Sequence, residues 1–464
     1  MGGGQPVSSL PEGVLLAWYG DDFTGAAAVM EVMTLAGLPS VLFLEIPTRA
    51  LLAKFSHCRG LGLAGVSRSK SPQWMEAHLP GIFETLSRWG APIVHYKICS
   101  TLDSAPQVGS IGKAMELALR QFDQAWVPIL TAAPAIQRYQ LFGNLFAANQ
   151  DKVYRLDRHP TMSRHPVTPM AEADVRAHLA QQTPSQIGLV DYLALKTGRG
   201  EQALQEALQA GCNLVAIDVA DECSLAAAGS LVWNHRAKQL FVVGSQGIEY
   251  ALLAHWRASG VSLENASVGP AAAVDRIAVV SGSCSPVTAG QIEWARGQGF
   301  QLIRVDARRA VDARSWEQAI GEATDEAVRA IGEARDPLVY SACGPDDPAV
   351  GAVLEAIETS GIGSGIVNLN IGMGMGRILD AIFRRTGVRR GVLAGGDTSG
   401  YGARVLGIKA LTLSAPIVPG AALFRAHSED PLHDTVEIAL KGGQMGPPDF
   451  FGQVKHGGPA AHIR

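Results

Sequence analysis

The sequence has no C-x-x-C pair, and its six cysteines, at 58, 99, 212, 223, 284 and 343, are scattered along 464 residues. That spacing argues against a disulfide framework or a zinc cluster and for free thiols in a reducing compartment. No G-x-x-x-x-G-K-[ST] segment occurs, which excludes a P-loop. The nearest approach to a dinucleotide fingerprint is Gly372-Met-Gly-Met-Gly376. Its final spacing is wrong and no strand-like run precedes it, so it reads as a helix start or a loop and disfavours a dehydrogenase. Charge of neither sign dominates: 39 Lys and Arg stand against 43 Asp and Glu, so no broad basic face for nucleic acid is expected. Apolar runs are broken by Gly or polar residues well short of a membrane span, so no membrane partner is expected. The start, Met1-Gly-Gly-Gly-Gln-Pro6, lacks a basic stretch followed by an apolar one. The expected location is the cytoplasm.

What the chain does have is alternation. Val14–Tyr19 is a short, almost wholly apolar run that suits a buried strand; Gly20-Asp-Asp-Phe-Thr-Gly25 follows, then a helix from about Ala26 to Ala36 and a strand at Ser40–Leu44. Further strand-like runs lie at Pro92–Tyr96, Trp126–Thr131, Ile187–Val190, Leu214–Asp218 and Leu240–Ser245. After small residues at 262–274, which read as a linker, a second series begins with Arg276–Val280, Leu302–Asp306, Pro337–Ser341 and Gly391–Ala394. This pattern predicts an α/β fold of two parallel-sheet, Rossmann-like domains, 1–265 and 266–464.

Chemistry is expected where strands end. Asp21 and Asp22 close the first strand, where open α/β sheets bind ligands, and Thr24 and Gly25 open a helix whose N–H groups suit an anion. Paired carboxylates can orient sugar hydroxyls, and one can accept a hydroxyl proton during phosphoryl transfer; Asp22 is the expected base, with Asp21 or Asp397 as the alternatives. The plain alternative is that Asp22 or Thr24 only caps the helix. Lys97 in Lys97-Ile-Cys-Ser-Thr101 follows a buried strand and suits a substrate carboxylate, while Ser100 and Thr101 can bond hydroxyls. A basic loop, Arg158–Pro166, holds His159, Arg164 and His165; Arg164 is a candidate to close over an acid, though a surface loop explains it equally.

In the second half, Ser281-Gly-Ser-Cys-Ser285 and Gly395-Gly-Asp-Thr-Ser-Gly400 are small-residue turns between a strand and a helix. Such turns let backbone N–H groups approach phosphates, so Ser283, Ser285, Gly395, Gly396, Asp397, Thr398, Ser399 and Gly400 are the nucleotide candidates. Asp397 could stand near phosphate-bound Mg²⁺. Val418-Pro-Gly420 and Lys441-Gly-Gly-Gln-Met-Gly446 are further glycine turns. No set of residues has metal-ligand spacing.

Taken in order, Asp21–Ala26, Lys97–Thr101, Pro134-Ala135, Gly244-Ser-Gln-Gly247, Ser281–Ser285, Gly395–Gly400, Pro419-Gly420 and Lys441–Gly446 resemble the four-carbon acid sugar kinase family over nearly the full length. The resemblance implies an N-terminal sugar-acid domain and a C-terminal ATP domain facing each other across a cleft. It further implies ATP and Mg²⁺ as cofactors and threonate, erythronate or 3-oxo-tetronate as acceptors. By it, the DDFTGA and KICST segments meet the small-molecule sugar acid, and the SGSCS, GGDTSG and Pro-Gly420 turns meet ATP. The family's second motif reads Lys-Ile-Asp-Ser-Thr-Leu-Arg-Gly-Asn. Here Cys99 replaces the Asp, Asp103 replaces the Arg, and Ser104–Val108 are extra. Losing a cation and gaining an anion there should change acid recognition, and points to a branch acting on a related oxo acid such as 3-oxo-isoapionate. The alternative is a non-catalytic effector or ligand-binding protein that keeps the fold. The oligomeric state, a homo-oligomer included, is left open.

Overall fold

A computed structural model describes residues 9–149, 151–165, 167–263, 266 and 268–458. The chain divides into two compact units: residues 1–41 with 46–266, and residues 42–45 with 267–464.

The strands of the first half are β1 (Leu16–Gly20), β2 (Ser40–Phe43), β3 (Gly60–Ala64), β4 (Ile93–Lys97), β5 (Val127–Leu130), β6 (Arg138–Leu141), β7 (Asn144–Asn149), β8 (Lys152–Arg155), β9 (Ile187–Val190), β10 (Leu214–Ile217) and β11 (Leu240–Gly244). Seven of them form a parallel array in the order β3-β1-β4-β11-β5-β10-β9. The central strands β1, β4 and β11 are buried at every position, which is why they read as unbroken apolar runs. Register puts Gly20 beside Lys97, and Lys97 beside Gly244, so the ends of three central strands bring the first-half motifs to one edge.

Sequence pattern did not show the small antiparallel sheet β6-β7-β8. Its first turn is Phe142-Gly143, with φ of 51° and 81°. Two-residue hairpins of this kind usually announce themselves as Asn-Gly or Asp-Gly, and Phe-Gly carries no such signal.

The second unit contains β12 (Ala278–Ser281), β13 (Gln301–Arg304), β14 (Pro337–Tyr340), β15 (Arg390–Ala394), β16 (Ile408–Val418), β17 (Ala421–Ser428) and β18 (Glu437–Lys441). Five of them run parallel in the order β13-β14-β12-β15-β18; the alternation predicts the first four as strands and not β18. Beyond it the sheet turns antiparallel through β17 and β16, and Leu42 and Phe43 pair antiparallel with Leu411 and Ala410 of β16. This sheet is therefore mixed rather than purely parallel. The hairpin β16–β17 turns on Pro419 and Gly420, the latter at φ 80°.

The segment Gly372–Gly376 is neither a helix start nor a loop; it lies inside the helix Ser364–Thr386. Its glycines are packing surfaces. A Cβ on Gly372 would stand 2.8 Å from Tyr401, one on Gly376 2.7 Å from Gly402, and one on Gly374 2.5 Å from the Trp316 ring. Residues four apart share a helix face, so Gly372 and Gly376 admit the helix Gly396–Val405 while Gly374 admits Trp316. This helix is long and apolar enough to cross a membrane by length and composition, a run the sequence reading passed over; half of its 18-residue apolar window is buried within the fold.

Candidate active site

The first cluster forms where β1, β3 and β4 end. Asp22 is the N-cap of the helix Phe23–Leu35: its Oδ1 accepts from Gly25 N–H at 3.0 Å, and its Oδ2 accepts from Thr24 Oγ1 at 2.6 Å. Asp21 is 2% exposed and receives both Nε and Nη2 of Arg68, at 3.2 and 2.6 Å; the same Nη2 reaches Asp22 Oδ1 at 2.7 Å. Arg68 N–H also donates to Asp21 O at 3.0 Å, which fixes the loop after β3 against the end of β1. Gly109, at φ 61°, lets the next loop close on Arg68, since a Cβ there would meet the Arg68 carbonyl at 2.4 Å. Sequence reasoning missed Arg68; the signal was available, because it stands four residues beyond the apolar run of β3.

Lys97 is 2% exposed, and its Nζ donates to Ile98 O at 2.7 Å. A Cβ at position 25 would lie 2.4 Å from Asp22 Oδ1 and 2.9 Å from Lys97 Nζ, so only glycine lets these groups approach. Thr101 is buried, with Oγ1 3.1 Å from Cys99 Sγ; the turn then passes through Leu102 at φ 53°, a left-handed conformation held by its burial. Ser100 is half-buried in the same turn. Asp103 accepts from Thr168 Oγ1 and lies 3.9 Å from His165 Nδ1, so this anion ties the turn to the basic loop. Within that loop His159 is buried, whereas Arg164 is exposed and is not brought to the carboxylates by any hydrogen bond or ion pair among the described residues.

Burial pushes the Asp21 carboxyl up to about 6, against the pull of Arg68. Burial acts on Asp22 in the same sense, but Arg68 and Lys97, aided by the Thr24 and Gly25 hydrogen bonds, outweigh it and hold Asp22 below the ordinary carboxylate value. The pair is thus split into an ionised Asp22 and an Asp21 that titrates near neutrality. From an unfolded value of 3.8, the folded chain keeps a proton on Asp21 that the unfolded chain has released. Stability tied to Asp21 is complete below the unfolded value and is lost as pH rises through about 6, by about 3 kcal/mol at most. Asp21→Asn removes that loss, so in urea titrations its stability relative to the parent is expected to rise between pH 4 and pH 7. A pH-independent difference would exclude the raised Asp21.

The second cluster belongs to the second unit. Ser285 caps the helix Pro286–Gly297, accepting from Thr288 N–H at 3.1 Å, and Ser283 Oγ accepts from Ser285 N–H at 3.3 Å. Gly395, at φ 117°, forms the turn after β15 alone, and its N–H donates to Lys441 O at 2.9 Å. Gly396, Asp397, Thr398, Ser399 and Gly400 lie in the first turns of the helix Gly396–Val405, not in a loop as the sequence suggested. Glycine can enter a helix when packing favours it, and this helix start has no side-chain cap. The Asp397 side chain lies outside the described residues. Ser399 Oγ is spent on Leu393 O at 2.9 Å, and a Cβ on Gly282 would stand 2.3 Å from Thr398 Oγ1.

Two more segments join these turns. Gly443 O accepts from Thr288 Oγ1 at 3.0 Å and from Ser285 Oγ, and a Cβ on Gly443 would meet Ser283 Oγ at 2.7 Å. A Cβ on Gly420 would meet Met445 Cε at 2.8 Å. Residues 281–285, 395–398, 419–420 and 441–446 therefore converge, with glycine wherever backbones come close. Lys441 is fully buried beneath them, and its Nζ donates to Thr288 Oγ1 at 2.9 Å. Burial drives this ammonium down to about 7. Side-chain-free backbone, a helix start without a cap and a buried cation suit a polyphosphate. Among the described residues no cluster of three His, Cys, Asp or Glu could hold a metal ion.

A carboxylate pair in one unit and a set of glycine-lined turns in the other suit a phosphotransferase. Comparison with known proteins gives the same division: residues 16–252 match the "Sugar-binding N-terminal domain" family and residues 278–451 the "Nucleotide-binding C-terminal domain" family. The chain belongs to the sugar-acid kinases built from these two domains. It is 46% identical to a 3-oxo-isoapionate kinase of Paraburkholderia graminis, over 98% of this chain and 97% of that one. It is 28% identical to a 3-oxo-tetronate kinase of Cupriavidus necator, over 95% and 96% of the two chains. A solved Salmonella typhimurium structure shares the fold, with a TM-score of 0.74 at 23% identity over 95% of this chain and 98% of that one.

Proposed function

We propose that this kinase transfers the γ-phosphoryl group of ATP to a hydroxyl of a small oxo sugar acid, and that the acid is 3-oxo-isoapionate. The observation that carries the reading is the split Asp21–Asp22 pair held by Arg68 and Lys97 at the strand ends of the sugar-binding half. The 46% identical relative named for 3-oxo-isoapionate supports the choice of acid.

In this reading Asp22 orients the acceptor hydroxyl and takes its proton. The hydroxyl oxygen bonds to the γ-phosphorus as the bond to the β-phosphate bridging oxygen breaks, and ADP leaves. A low carboxylate value is compatible with this role, because phosphoryl transfer has a loose transition state and the proton moves late. Asp21, although nearer neutrality, is enclosed by Arg68 and keeps that guanidinium in place. Thr24 and Gly25 hold Asp22, and Ser100 and Thr101 offer hydroxyls to the acid. Ser283, Ser285, Gly395, Gly396, Asp397, Thr398, Ser399, Gly400 and Gly420 line the nucleotide site, with Lys441 supplying positive potential from below. Mg²⁺ is the ion carried on the phosphates of ATP. Transfer requires both clusters to meet across a cleft between the domains, which would also keep water from the phosphoryl group. The fold and substrate class suit the cytoplasm.

An ADP-release screen over four- and five-carbon sugar acids and their 3-oxo forms tests this. Turnover is expected with 3-oxo-isoapionate at a higher kcat/KM than with threonate, erythronate or 3-oxo-tetronate. ADP release with none of these acids would overturn the reading.

A further inference from the structure

Behind Lys97, on the same face of the sheet, stands a buried pair that the transfer chemistry does not use. His95 lies two residues earlier on β4, and Glu249 lies in the helix Gly247–Ala258, which opens just after β11; both are fully buried. His95 Nδ1 is 2.7 Å from Glu249 Oε1, and His95 Nε2 is 3.0 Å from the carbonyl oxygen of Gly244. A neutral imidazole has one N–H, yet both ring nitrogens meet oxygen acceptors here. The pair therefore holds one proton beyond a neutral ring and a carboxylate, either on Nδ1 or on Glu249. In both cases Nε2–H donates to Gly244 O.

Stability alone is a weak reason for such a pair. Glu249 Oε2 is buried with no hydrogen-bond partner among the described residues, and apolar residues of similar volume often replace a buried ion pair without loss. What the pair supplies is a second donor on Gly244 O. That oxygen also accepts from Ile98 N–H at 2.8 Å, and Ile98 O in turn accepts from Lys97 Nζ at 2.7 Å. Lys97 is one of the two cations that hold Asp22 ionised. An unbroken series of hydrogen-bonded residues thus runs from Glu249 through His95, Gly244 and Ile98 to the ammonium beside Asp22.

We propose that His95, locked by Glu249, is a positioning residue for phosphoryl transfer: its Nε2–H fixes the Gly244 carbonyl and, through Ile98, the place of the Lys97 ammonium beside Asp22. The proposal rests on the sugar-acid kinase reading, in which Asp22 takes the proton of the acceptor hydroxyl. A misplacement of about 1 Å at a reacting centre costs about 10²-fold in rate, so a contact this far behind the site is enough to matter.

The test compares the parent, the double variant His95→Phe/Glu249→Leu, and Glu249→Gln. It reads ADP release with 3-oxo-isoapionate, the melting temperature, and hydrogen exchange of the amides of residues 97–101 by mass spectrometry. The double variant buries no charge and removes the donor to Gly244 O. It is expected to melt at or above the parent, to keep the KM for ATP within about twofold and to lose kcat about 10- to 100-fold. Its 97–101 amides should exchange about fivefold faster or more. In Glu249→Gln the amide donates to Nδ1 and leaves Nε2–H in place, so kcat should stay within about threefold of the parent. A purely structural pair would lower the melting temperature of the double variant and leave kcat per folded molecule unchanged. That outcome overturns the proposal, as does a double variant that fails to fold, or a Glu249→Gln variant as slow as the double. A parent that releases ADP with no sugar acid would remove the kinase reading instead; exchange then decides the positioning, and amide protection in the double variant equal to the parent's removes that as well.

Discussion

Asp22→Asn is expected to lower kcat on the sugar acid by about 10²- to 10⁴-fold, with the KM for ATP little changed. The substitution separates the cap that Asp22 forms from the role of base proposed for it. As the helix N-cap, Asp22 needs only an oxygen to accept from Gly25 N–H, and Asn caps helices about as well as Asp. As the base, it needs a negative oxygen that can take a proton, and the amide has none. The result is sharper than that of an alanine variant, which would lose the cap as well as the charge that faces Arg68 and Lys97. The nucleotide cluster lies in the other unit, so ATP affinity serves as an internal control. Turnover within tenfold of the parent would remove Asp22 as base and leave it a cap.

The strand ends were legible because parallel strands buried on both faces read as apolar runs, and whatever follows such a run lies at the ligand edge of the sheet. That rule placed Asp21, Asp22, Lys97 and the two serine- and glycine-rich turns. It failed for Arg68, because β3 is Gly60-Leu-Gly-Leu-Ala64, whose glycines dilute the apolar signal. Those glycines are there for close packing: a Cβ on Gly62 would enter the Trp18 ring at 2.1 Å. The sheet of β6, β7 and β8 was hidden for a different reason: its first hairpin turns on Phe142-Gly143, which lacks the usual residues. Asp103 is plain in the sequence as an anion, but its partner Thr168 is distant in sequence, and only the fold reveals that it is tied to the basic loop.

Lys441→Met is expected to move stability and nucleotide use in opposite directions. Lys441 is fully buried, bonds Thr288 Oγ1, and has no carboxylate acting on it among the described residues. Burial drives its ammonium from 10.5 to about 7. Between those values the unfolded chain holds a proton that the folded chain lacks, so stability rises with pH across the window and the full penalty stands below it. Methionine fills similar space without a charge. The nucleotide-free variant should therefore be more stable at pH 6 to 7, by on the order of 1–4 kcal/mol, with the gain shrinking toward pH 10. Thr288 keeps Gly443 O as acceptor, so no polar group is orphaned. The KM for ATP should rise about 10- to 100-fold, since a desolvated cation beneath the phosphates acts through a low dielectric. A polyphosphate above Lys441 must also restore its proton. Calorimetry of ATP binding near pH 8 should then show an enthalpy that depends on the buffer's ionisation heat in the parent and not in the variant. A variant that is less stable at every pH, with an ordinary KM for ATP, would make Lys441 a structural residue and move the phosphate charge elsewhere.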